Sequence, residues 1–230
     1  MTTVLNGSPA GRVAIVTGGS RGVGRAAACR LAASGYAVIV NSLHDQPAAE
    51  SAVEAILADH GNAVAVRADV ADDLDVERLF AETIAAFGGI DAVVHTAGSR
   101  ITTTPVTEVG LEEFDALVRI NTRATFIVNR EAARHVRRGG AIVNLASSAE
   151  DPSLRTHGLY AASRAATDVL TRALALELHQ RDITVNAVTL EIRRPCAPDR
   201  VADVIAYLLG DHGHRLTGHV LRVGGPGLLL

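Results

Sequence analysis

Short apolar runs, separated by longer amphipathic stretches, constrain this chain more than any other feature of its sequence. The runs are "VAIVT" (Val13–Thr17), "AVIV" (Ala37–Val40), "AVAVR" (Ala63–Arg67), "AVVHT" (Ala92–Thr96), "AIVNL" (Ala141–Leu145), "TVNAV" (Thr184–Val188) and "VLRV" (Val220–Val223). A strand with one wet face alternates apolar and polar residues. Most of these runs are apolar at nearly every position, the pattern of parallel strands covered by helices on both faces. Between them, Gly22–Ser34, Ala48–His60, Leu74–Phe87, Leu111–Arg138, Leu159–Arg181 and Arg200–Leu209 read as amphipathic helices. Strands and helices in this order demand right-handed crossovers. They predict an α/β fold: a doubly wound parallel sheet of about seven strands with helices on both faces.

Composition narrows the possible functions. The chain has 230 residues, 48% of them hydrophobic and 20% charged, and carries a net charge of -3. That balance predicts one soluble globular domain over residues 1–230. The weak negative charge gives no reason to invoke nucleic acid or an anionic membrane as partner. No apolar stretch approaches the roughly 20 residues that span a bilayer, and "MTTVLNGSPAGR" lacks the apolar core of a signal peptide. Cys29 and Cys196 form neither a disulfide framework nor a metal-ligand pattern, so a reducing cytoplasm is the expected setting. No lysine occurs, and all 22 Lys+Arg positions are arginine.

Between the first strand and first helix stands "TGGSRGVG", with Gly18, Gly22 and Gly24. Glycines in that position permit a tight turn and bring backbone N–H groups to a pyrophosphate at the helix N-terminus. Following an apolar strand and opening a helix, they predict dinucleotide binding. The spacing is TGxxxGxG, and the loop resembles that of the short-chain dehydrogenases/reductases. Further motifs follow in the family's order. "ADV" (Ala68–Val70) resembles the turn beside the adenine. "HTAG" (His95–Gly98) resembles the family's NNAG turn with both asparagines replaced. "RINTRATF" carries Asn121, "IVNLASS" carries Ser147, and "YAASR" carries Tyr160. "LTGHVLRVGG" is similar to the family's C-terminal signature without its aspartate.

The resemblance implies a cofactor site built from Thr17, Gly18, Ser20, Arg21, Gly22, Val23, Gly24, Asn41, Ser42, Asp69, Val70, Ala97 and Gly98. An acidic residue closing the second strand would bind the adenosine ribose and select NAD. Here that strand runs into Asn41 and Ser42, and Arg21 lies in the glycine loop. A guanidinium suits a 2′-phosphate, which points to NADP(H). Asp45, farther along, leaves NAD(H) open.

The resemblance also implies hydride transfer between the nicotinamide and a carbonyl or alcohol carbon. Tyr160 would move the proton, Ser147 would polarise the substrate oxygen, and Asn121 would hold a relay water. The family places lysine four residues after the tyrosine, one helical turn away on the same face. This chain has Arg164. A guanidinium keeps the charge but cannot release a proton, which predicts slow turnover.

A second departure follows the sixth strand. Residues 189–199, "TLEIRRPCAPD", replace a longer substrate loop and put Leu190 and Glu191 where the family has Pro-Gly. The short loop predicts an open cleft for a bulky or carrier-bound substrate. Glu191, Arg193 and Arg194 are expected to be solvated. His95 and Cys29 read as structural. Ser148 is the runner-up to Ser147. The expected function is NADP(H)-dependent reduction of a ketone, or oxidation of a secondary alcohol, on a small-molecule substrate. A non-redox acid/base enzyme (dehydratase, isomerase or cyclase) and a cofactor-binding scaffold stay open. The resemblance further implies a homo-oligomer, a dimer or tetramer, and the apolar tail "GGPGLLL" would be covered in it.

Overall fold

The computed structural model describes residues 11–98, 103–147, 157–190 and 196–224. Seven strands form one parallel sheet in the order β3-β2-β1-β4-β5-β6-β7. They are β1 (Val13–Thr17), β2 (Ala37–Ser42), β3 (Asn62–Arg67), β4 (Ile90–His95), β5 (Val136–Ser147), β6 (Thr184–Leu190) and β7 (Val220–Val223). The helices are α1 (Gly22–Ala33), α2 (Gln46–Ala58), α3 (Asp73–Phe87), α4 (Leu111–Leu117), α5 (Ala124–His135), α6 (Gly158–Leu178) and α7 (Pro198–Leu209).

The strand runs are apolar throughout because both faces are covered. Val13 and Ile15 join a core with Val76, Leu79 and Phe80 of α3 and with residues of α5 and α6. Their neighbours Ala14 and Val16 point to the other face, into a core with Ala27 and Leu31 of α1, Ile56 of α2 and Ile205 of α7. Burying each of the larger aliphatic or aromatic side chains contributes about 1.5–3 kcal/mol. Local signals set the helix starts. Asp45 caps α2 by accepting from the Ala48 N–H, and Asp72 caps α3 by accepting from the Asp75 N–H. Gly88, at φ 79°, ends α3 in the left-handed conformation.

Two elements differ from the sequence expectation. The helix predicted over Leu111–Arg138 is broken by a π-helical turn, Val118–Arg123, and ends at His135. Residues predicted as its last turn open β5 instead. Val136 pairs with Ile90 ahead of a register shift, and Gly139, at φ 78°, makes the bend. Residues 191–197 alone separate β6 from α7. Among the described residues, no helix is long and apolar enough to cross a membrane.

The sheet order reverses at β1, whose neighbours are β2 and β4. The crevice outside the carboxyl ends of these strands is where an open α/β sheet binds its ligand. The glycine loop, the "HTAG" turn and the end of β5 all meet there.

Candidate active site

A groove of about 370 Å³ lies at this switch point, walled by the glycine loop, the ends of β2 and β3, and Thr96, Ala97 and Gly98 after β4. Gly18 stands at φ 65° and Gly22 at φ 55°, conformations costly for residues with a Cβ. At Gly24 a Cβ would lie 2.2 Å from the Gly18 carbonyl oxygen, so glycine lets α1 close onto the loop. The α2 and α3 N-termini have aspartate caps. That of α1, at Arg21, has no side-chain cap hydrogen bond and no acidic residue in its first turn. Its backbone N–H groups suit a phosphate.

Gly18, Ser20, Arg21, Val23, Gly24, Asn41, Ser42, Asp69, Val70, Ala97 and Gly98 line the groove, and Gly22 sits exposed at the start of α1. Thr17 lies behind the loop, fully buried. The Asn41 amide is turned away, donating to the Val66 and Ala68 carbonyls and bracing β3. Ser42 donates to the Asp45 backbone carbonyl. Asp69 accepts from the Ala71 N–H and from Arg119 at 2.6 Å. The Asp69 N–H in turn donates to Asp75; this bond, with Arg78, holds the Asp75 carboxyl below its ordinary range. Arg21 and His44 are exposed at the groove wall beside Ser42.

At the chemical end, Arg164 is buried at 6% exposure, although nothing but solvent opposes most arginines. Its Nη1 donates to the Leu145 carbonyl at 3.3 Å. Its guanidinium carbon stands 5.7 Å from the centre of the Tyr160 ring. A Cβ on Gly98 would lie 2.0 Å from Nη2, so a glycine at the "HTAG" turn is what admits the larger head. Arg164 Nε is buried without a hydrogen-bond partner among the described residues. Tyr160 is buried beside Leu117. Asn121, fully buried, donates its amide to Ser163 Oγ at 3.0 Å, tying the π-turn to α6. Ser147 ends β5, in register with Leu190. Ser148, Glu191, Arg193 and Arg194 lie outside the described residues, as does the tail after Gly224.

The sequence reading passed over Thr96 and took His95 as structural, which its contacts bear out. The Thr96 hydroxyl donates to the Thr17 carbonyl at 2.6 Å and would touch any Cβ at Gly24, so it locks the glycine loop to β4. His95 is fully buried, with its Nδ1 2.8 Å from Thr17 Oγ1 and its Nε2 3.2 Å from Thr125 Oγ1. Burial, and next the Arg164 charge, push the ring's pKa down to about 3. The only signal was their place in the "HTAG" turn. Cys29 and Cys196 are half-buried free thiols packed against the core, and burial pushes the Cys29 thiol up.

Comparison with known proteins shows the family. The family model described as short chain dehydrogenase matches residues 12–194. The chain belongs to the short-chain dehydrogenase/reductase family. It is 42% identical over 179 residues to versicolorin reductase 1 of Aspergillus parasiticus, covering 77% of this chain and 68% of that one. A dehydrogenase/reductase structure from Sinorhizobium meliloti 1021 superposes with a TM-score of 0.90 at 36% identity, covering 95% of each chain. A short chain dehydrogenase of Burkholderia cenocepacia J2315, solved in complex with NADP, gives 0.88 at 33%, covering 95% of this chain and 98% of that one. As a member of this family the protein is an oxidoreductase.

Proposed function

We propose that this short-chain dehydrogenase/reductase is an NADP(H)-dependent ketoreductase for a bulky or carrier-bound ketone, with the reverse alcohol oxidation available on the same residues. The observation that carries the reading is the buried Arg164 guanidinium, held 5.7 Å from the centre of the Tyr160 ring and against Gly98 and Leu145, two residues that line the groove.

A dinucleotide fits the residues present. The uncapped α1 N-terminus would take the pyrophosphate, and Gly18 and Gly24 let the backbone come close. The orphaned Arg164 Nε is a donor without an acceptor, as a ribose hydroxyl would supply. Asp45 is committed to capping α2, so the residue that would favour NAD(H) is occupied. Arg21 and His44 then offer donors to a 2′-phosphate. The neighbour that holds NADP supports the same choice.

When bound, the cofactor supplies hydride chemistry at its nicotinamide. The protein's work is to hold the ketone and deliver a proton. Ser147, at the end of β5, would hold the carbonyl oxygen by hydrogen bond. Tyr160 would give that oxygen its phenolic proton. Arg164 keeps a positive charge one helical turn away, where negative charge develops on the phenol. It accepts and releases no proton, so the phenol is recharged from solvent. Only seven residues, 191–197, join β6 to α7, and this short connection is our reason for proposing a large substrate. The reductase relatives support a carbonyl substrate. We also propose that the chain works as a homo-oligomer, packed through α4, α5 and α6.

The test is to mix the protein with NADPH and a panel of cyclic, aromatic and thioester-tethered ketones and follow the cofactor's absorbance. Slow oxidation that Tyr160→Phe abolishes is the expected result. Turnover that survives that substitution intact removes Tyr160 from the chemistry. A product formed at constant absorbance would replace redox with acid/base catalysis.

A further inference from the structure

His95 sits where four elements meet. Thr17 of β1 and Asn144 of β5 flank it in register, Thr125 approaches from α5, and Arg164 from α6. Its hydrogen bonds can be given directions. The Thr125 hydroxyl donates its one proton to the Asn121 carbonyl, at 2.6 Å, because a carbonyl can only accept. Thr125 Oγ1 therefore accepts from the ring, and Nε2 carries the hydrogen. Thr17 Oγ1 is the partner of Nδ1, and the Ala97 N–H approaches the same hydroxyl oxygen at 3.5 Å. Its proton then goes to an unprotonated Nδ1. A doubly protonated ring would leave the buried Thr17 hydroxyl proton without this acceptor. It would also set a second charge beside Arg164, the charged group that acts on the ring among the described residues.

The result is one directed chain of bonds: Thr17 O–H to Nδ1, Nε2–H to Thr125, and Thr125 O–H to the Asn121 carbonyl. It starts at the last residue of β1, where the glycine loop begins. It ends in the π-turn, which the Asn121 amide fastens to Ser163, one residue from Arg164. We propose that His95 is a positioning residue: in its neutral Nε2–H form it sets the cofactor loop in register with the helices that carry Asn121, Tyr160 and Arg164. The neighbouring Thr96 hydroxyl, which locks the same loop to the Thr17 and Gly18 carbonyls, belongs to the same arrangement. The inference rests on the oxidoreductase reading only for its effect on cofactor and turnover.

Two measurements test it. Long-range ¹⁵N–¹H spectra of the wild-type protein, labelled at its nine histidines, should show one ring with a slowly exchanging Nε2 proton that does not titrate between about pH 5 and 8. A ring bearing its proton on Nδ1, or one that titrates in that range, overturns the proposal without reference to activity. NADPH binding and steady-state kinetics of His95→Phe and His95→Gln supply the second. The phenyl variant should weaken Kd and KM for NADPH about tenfold, with kcat falling less. Glutamine, which keeps one donor and one acceptor, should recover most of the loss. A folded His95→Phe with unchanged Kd and KM overturns the positioning role. A wild type that binds no NADPH sinks the cofactor assignment, and with it the positioning role, while the ring spectrum still reports on the bond directions.

Discussion

At the residue scale, the site is decided by what a buried guanidinium and a buried imidazole permit each other to be. Arg164 is charged at every working pH, so His95, beside it and out of water, stays neutral. This has a consequence for stability. The unfolded ring takes a proton near its ordinary value of 6.5, while the folded ring does so only at about 3. Between those values the unfolded state binds more protons, so stability falls as pH drops through that window, by roughly 1.4 kcal/mol per unit from this group. Urea unfolding of the wild type and of His95→Gln at several pH values should show a shallower acid slope in the variant; equal slopes would mean that the ring is not held neutral. For Arg164 itself, removal of the charge and mere change of head differ. Arg164→Met keeps the buried stem and should cost about 10²-fold in kcat/KM, whereas Arg164→Lys should stay within about tenfold. Part of this was legible beforehand, since His95 read as structural and Arg164 as sharing a helical face with Tyr160; the contacts that fix them were not. The sequence shows an arginine four residues after a tyrosine, and whether it points inward depends on Gly98 and the Leu145 carbonyl, which are distant in the chain. The Thr17, His95 and Thr125 contacts likewise join three elements.

At the element scale, most boundaries were legible to within a few residues, because strands covered on both faces must be apolar along their whole length. The exception is instructive. "HVRRGG" carries charges at helical spacing, yet Val136 leaves the helix to pair with Ile90, and Arg137 binds Asp91 and the Gly88 carbonyl. Tertiary pairing overrode local pattern. The π-turn at Val118–Arg123 also leaves no mark in the periodicity; such turns are frequent at functional sites, and this one orients Asn121. Among elements, the approach of α1 to its loop is the one most open to test. In Gly24→Ala the new methyl would press on the Gly18 carbonyl and Thr96 Oγ1. The helix must back away, at a cost of about 1–3 kcal/mol. Loss of NADPH binding in a protein that still melts cooperatively is the expected outcome, and unchanged affinity would show that the loop tolerates a wider gap.

At the scale of the whole molecule, the described surface keeps an unspent apolar face. Leu176, at 82% exposure, and Val169 lie two turns apart on one side of α6. Phe114 on α4 and Phe126 on α5 are also exposed, and both helices pack against α6. Large side chains left in water along adjoining helices are costly in a monomer and typical of a surface that meets its own copy. A two-fold contact there would also brace α6, the helix that presents Tyr160 and Arg164, so assembly and turnover should be coupled. Light scattering should give at least twice the mass of one chain. Leu176→Asp combined with Val169→Asp should shift the protein toward monomer and reduce kcat, since neither residue approaches the groove. A wild type that is monomeric at working concentration, or a monomeric double variant with full activity, would separate assembly from catalysis and leave the apolar face to some other contact.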